Sequence, residues 1–129
     1  MDPVLGLSLG RIVIGVGSIA SPTLTAKLFG LSPADNPQMG YFTRMFGVRE
    51  IALGSLTLLA KGDARRTMVR AGMAVDGADA ATGVIALARK EVPPLSGALL
   101  IAVALGAVGS GGAALAQAGQ SQTSSPSPA

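Results

Sequence analysis

The sequence predicts an all-α fold, an integral membrane bundle of four transmembrane helices, and three observations carry that expectation. The chain has 129 residues, 49% hydrophobic and only 13% charged, with a mean hydropathy of +0.52. Its last apolar stretch, Leu95 to Ala116, holds no charge, and at about 1.5 Å per residue it reaches about 33 Å, the hydrocarbon thickness of a bilayer. Three earlier apolar segments are long enough to pair with it, and each carries ionisable residues near its middle. A chain of this length forms one domain.

The first helix is expected over residues 4–20 and is stopped by Ser21-Pro22, because the residue before a proline disfavours the α region. Asp2 and the lack of Lys or Arg ahead of the apolar run, together with Arg11 within it, oppose a signal peptide, so the segment is expected to be part of the mature protein. Thr23 to Phe29 makes a short helical piece closed by Gly30, and Leu31-Ser32-Pro33 begins a turn. Asn36-Pro37 reads as an N-cap with proline at the first helical position, opening a second helix over 37–60. Gly62 ends it and Asp63 caps a third, 64–88. Val92-Pro93-Pro94 opens the fourth, 95–116, which completes a transmembrane domain over 1–116. The polar, Ser/Pro-rich stretch 117–129 is expected to be a disordered tail. The aromatic residues Phe29, Tyr41, Phe42 and Phe46 cluster where the first helix ends and the second begins, either as core residues or, for Tyr41, at a membrane interface.

Composition also excludes functions. Without Cys or His there is no disulfide framework, no thiolate metal site, and neither the commonest metal ligand nor the commonest general base. No catalytic, cofactor-binding or metal-binding residue is expected, and the chain is not expected to be an enzyme. The net charge of +3 is spread thinly from Arg11 to Lys90 without an interleaved aromatic platform, which argues against nucleic acid as a partner.

The charges inside the apolar segments are the informative feature. Arg11 lies in the first helix, Arg49 and Glu50 in the second, Asp76 and Asp79 in the third. If the helices run up and down through a membrane, these residues share one level. Each would oppose insertion by about 2.5 to 3.5 kcal/mol if it faced lipid, so they are expected to face one another. Around Arg11 the helical spacing puts Ser8, Gly15 and Ser18 on the same face, which is therefore both polar and small. Gly72, Asp76, Asp79, Ala80 and Gly83 form a similar stripe on the third helix. Arg49 and Glu50, adjacent in sequence, are expected to find partners on different helices. The five sum to −1, to which Arg44 and Arg70 would add if they turn inward. Asp76 and Asp79 are expected either to share an arginine or to hold a proton between them. This layer has two readings: an ion-pair network that fixes helix packing, or a proton relay or polar ligand site at mid-depth. Because arginine keeps its proton, the packing reading is preferred.

The fourth helix carries Ala98, Ala102, Gly106, Ser110 and Ala114 at four-residue intervals, and Gly6 and Gly10 make a shorter ridge on the first. Such ridges serve either packing within the bundle, the preferred reading, or an interface with a second copy.

The run Arg44-Met45-Phe46-Gly47-Val48-Arg49-Glu50, then a basic loop, then Asp76-Gly77-Ala78-Asp79, resembles a family of small four-helix membrane proteins of unknown function, similar in layout to the DoxX-like group and found mainly in actinobacteria. The resemblance spans about residues 5–116 and rests on R-x-x-G-x-R-E and D-x-x-D. It implies an integral membrane protein and brings no catalytic residue with it.

The expected role is that of a structural or accessory membrane subunit, with a carrier of protons or a small polar solute as the alternative. The lipid bilayer is the expected partner, together with the protein itself or another membrane protein. The expected location is the cell membrane, multi-pass. Lys61, Arg65, Arg66 and Arg70 lie on the side of the termini, against Lys27, Arg44, Arg89 and Lys90 on the other, and the denser cluster points to cytoplasmic termini. A soluble helical bundle is the competing fold, and resistance to carbonate extraction separates the two.

Overall fold

A computed structural model describes residues 2–123 and is all-helical among them. Helix α1 is Pro3–Ala20, α2 Pro22–Leu28, α3 Met39–Leu59, α4 Gly62–Ala88 and α5 Pro94–Thr123. The Asp2 side chain accepts the Val4 amide at 3.0 Å, and Pro3 occupies the first turn, where its missing N–H is no loss. At the far end Ser21-Pro22 breaks the chain and starts α2 at once.

Three boundaries differ from the sequence-based expectation. Asn36 does not cap α3: its side chain accepts the Gln38 amide at 3.2 Å in a local turn, and the helix begins at Met39. Gly62, with φ +59°, is the first residue of α4, and the break falls on the extended Ala60 and Lys61. Asp63 sits inside the first turn, where its charge meets the positive helix end. Helix α5 runs past Ala116 through Thr123, because Gln117 to Thr123 contains no proline and nothing stronger than glycine to stop it. The rest of the expected tail, 124–129, lies outside the described residues.

The bundle consists of two helix pairs. Helix α1 lies along α3 and α4 lies along α5; α2 bridges α1 and α3, while the pairs meet through α1 with α5 and α3 with α4. The α1/α3 seam brings backbone against backbone. A Cβ on Gly15 would stand 2.7 Å from the Gly47 carbonyl oxygen, one on Gly47 2.6 Å from that of Gly15, and one on Gly54 2.7 Å from that of Ser8. Only glycine fits there, so the spacing Gly47, Glu50, Gly54, Thr57 on α3 is the complement of Ser8, Arg11, Gly15, Ser18 on α1. In the α4/α5 pair side chains fill the gap: Met73 lies over Gly111 and Ile101 over Gly83. At the end where α1 begins, Arg65 of α4 reaches Asp2 at 3.0 Å.

Burial is inverted relative to a water-soluble protein. The buried side chains include Ser8, Arg11, Ser18, Glu50 and Asp76, whereas Val13 is 71% and Leu59 76% exposed. Helices α1, α4 and α5 are long and apolar enough to cross a membrane. Helix α3 is not among them, because any stretch of it long enough to cross contains Arg44, Arg49 and Glu50 together. The three long apolar helices and the inward polar residues fit a small membrane protein.

Candidate functional site

The structure brings Arg11, Arg49, Glu50, Asp76 and Asp79 into one connected layer. Arg11 projects from the small face of α1, and its Nη1 donates to Glu50 Oε2 at 2.9 Å and to Asp76 Oδ1 at 3.1 Å, while its Nη2 pairs with Asp76 Oδ2. Gly72 of α4 makes room for this guanidinium, since a Cβ there would lie 3.0 Å from Arg11 Nη2. One arginine thus ties α1 to both α3 and α4. Arg49 makes a second fork, its Nη1 donating to Asp79 Oδ1 at 3.0 Å and its Nη2 to Asp79 Oδ2 at 2.5 Å. The Phe46 ring lies under its guanidinium, 4.9 Å from centroid to Cζ.

Arg49 and Glu50 each take a partner on a different helix, Asp79 of α4 and Arg11 of α1, and they also meet each other although they are adjacent in sequence, Arg49 Nη2 donating to Glu50 Oε1 at 3.4 Å. Asp76 and Asp79 do not share an arginine as the first alternative expected, since each takes its own bidentate partner. Arg44 and Arg70 are exposed and take no part in the layer.

The layer lines a cavity of about 730 Å³ between the two helix pairs, which is open on the side of the exposed Phe42 and Val103. Its walls include Gly6, Gly10 and Ile14 of α1, Phe42 and Phe46 of α3, and Leu100, Val103 and Ala107 of α5. The sequence offered no signal for the cavity, because it is the space left between pairs. The role of Phe46 was equally hidden, although its position three residues before Arg49 places it on the same helix face.

The ridge on α5 lies elsewhere than expected. Ala98, Ala102, Gly106 and Ser110 are exposed, and Ala114 alone of the five is buried. The buried line is Gly97, Ala104 and Gly111, spaced by seven. Four residues advance about 40° beyond a full turn, so a strict four-residue ridge winds off the contact, whereas seven residues nearly close two turns. Gly6 and Gly10 are exposed as well, and a Cβ on Gly10 would meet nothing within 4 Å. Among the described residues no group of acidic side chains has the arrangement of a metal site.

No curated protein and no solved structure matches the chain. A family model does match, over residues 8–122, from the small face of α1 through the layer to the end of α5, and the chain therefore belongs to the family described as a domain of unknown function, DUF4267.

Proposed function

We propose that this is a multi-pass protein of the cell membrane in which α3 crosses together with the three more apolar helices. That makes four spans of DoxX-like layout, with both termini on the cytoplasmic side. The polar side chains of α3 support this reading, because Glu50 is buried and Arg49 is paired inward, while Val48, Leu56 and Leu59 point outward. Its role is that of a structural or accessory subunit, without catalysis of its own, working in the bilayer with itself or with another membrane protein. The observation that carries this role is the Arg11 clamp, in which one buried guanidinium fastens three helices. Copurification from mild detergent tests it: a stoichiometric membrane partner is expected, and a lone, freely soluble monomer would defeat it.

The cavity favours a second reading, a carrier of protons or of a small polar solute. Arginine holds its proton throughout, so in that reading the carboxylates do the work and the guanidiniums hold them in place. Replacing Asp76 and Asp79 by Asn separates the two. Lost assembly supports the structural role, normal assembly with lost pH-dependent uptake in liposomes supports transport, and no change in either assay removes the layer from function.

A further inference from the structure

We propose that the cavity is a binding site for a compact lipophilic amine in its protonated form, with the ammonium against Asp79 and the apolar body between α1, α3 and α5. The proposal deepens the carrier reading and rests on it for the ligand's passage.

Charge is the first argument. The ionisable residues lining the cavity are Arg11, Arg49, Glu50, Asp76 and Asp79, and they sum to −1; α2 and α5 contribute none. The lining therefore holds one more carboxylate than arginine, with Phe42, Phe46, Leu100 and Val103 beside the charges.

Hydrogen bonding gives an independent argument of the same sign. Four hydroxyls line the cavity, and each donates its one proton to the carbonyl four residues back on its own helix: Thr25 to Ser21 at 3.1 Å, Thr43 to Met39 at 2.8 Å, Thr82 to Ala78 at 2.8 Å and Ser110 to Gly106 at 2.9 Å. What they offer a ligand is lone pairs. The terminal nitrogens of both arginines are engaged by carboxylates, and Arg49 Nε, which has no partner, is sealed from the cavity. Asp79 differs from the other acids: 35% of its side chain is exposed, and its two oxygens accept one hydrogen bond each from Arg49, leaving lone pairs free. A site rich in acceptors and one positive charge short selects a donor that is a cation. An ammonium supplies three N–H donors and that charge, the Phe42 ring suits a cation, and the volume lies within the range of about 300–1,000 Å³ usual for small-molecule sites.

The test uses the full chain in nanodiscs, with empty nanodiscs as baseline, and titrates three probes of one shape: 1-adamantylamine, 1-adamantanol and 1-adamantanecarboxylate. Calorimetry should find the amine bound at least about tenfold more tightly than either of the others. Asp79→Asn should erase that preference, and Ala107→Phe, which fills the cavity from α5 and leaves every charge in place, should abolish binding of the amine. If Asp79→Asn fails to fold, the probe ranking and Ala107→Phe decide. Equal binding of the three probes, tighter binding of the carboxylate, or amine binding unchanged in Ala107→Phe would overturn the site. Uptake into proteoliposomes is scored separately: selective binding without uptake rejects the carrier and keeps the site, and no selective binding rejects the site whatever the uptake.

Discussion

Arg11 and Arg49 each grip an aspartate of α4 with two nitrogens, yet their surroundings are opposite. Arg11 is 7% exposed and its partners Glu50 and Asp76 are 5% and 4%, while the Arg49 and Asp79 side chains are 36% and 35% exposed beside the cavity. The same chemistry therefore does different work. Deep burial makes removal of one charge costly, because its partner is left uncompensated among packed side chains, whereas the half-exposed pair keeps one side open to the cavity. The first half of the layer is a clamp, and the second is available for binding.

The most disruptive way to test this contrast is to remove Arg11. Arg11→Met leaves two carboxylates buried together and should destabilise the fold by about 3–5 kcal/mol, seen as loss of the monodisperse peak in detergent. The triple change R11M/E50L/D76L should recover much of that loss, since a hydrophobic replacement of a buried ion network is often neutral. If the single variant stays monodisperse and melts normally, Arg11 is not the clamp. Gly47→Leu comes next. It drives a side chain into the Gly15 carbonyl and should cost about 1–3 kcal/mol or more in thermal unfolding, with Gly47→Ala milder.

Asp79→Asn should be smaller again, because the amide oxygen can still accept from Arg49, with helix content and assembly kept. A loss as large as that from Arg11→Met would erase the distinction between the two halves. The smallest effect is expected at Gly106, exposed and with nothing within 4 Å of a Cβ: Gly106→Leu should change monomer stability by no more than about 0.5 kcal/mol. Should it instead abolish a cross-linked dimer, the outer ridge of α5 belongs to an interface between copies.

How much of this could be read in advance depended on periodicity. Arg11 with Ser8, Gly15 and Ser18 forms one face by spacing alone, so the convergence of the five charges followed from helix geometry and the penalty of facing lipid. The choice among small faces did not follow. Ser8/Gly15 and Gly6/Gly10 are both small and lie on one helix, yet only the first meets α3, because Gly47 and Gly54 stand opposite it. On α5 the four-residue ridge looked stronger than the seven-residue line Gly97, Ala104, Gly111, and the second is the one buried. Those alternatives differ only in what lies across the gap, which no single segment encodes.

The sequence by itself determined the helices, the inversion of polar and apolar burial, and which charges must leave the lipid-facing surface, because each depends on residue type and local spacing. Only the tertiary structure decided which arginine holds which carboxylate, that Arg11 is buried while Arg49 is half-exposed although both line the cavity, and that the cavity's hydroxyls offer acceptors alone. Those properties arise from the separation between the α1/α3 and α4/α5 pairs, and a separation between helices is a relation among distant residues that local chemistry does not fix.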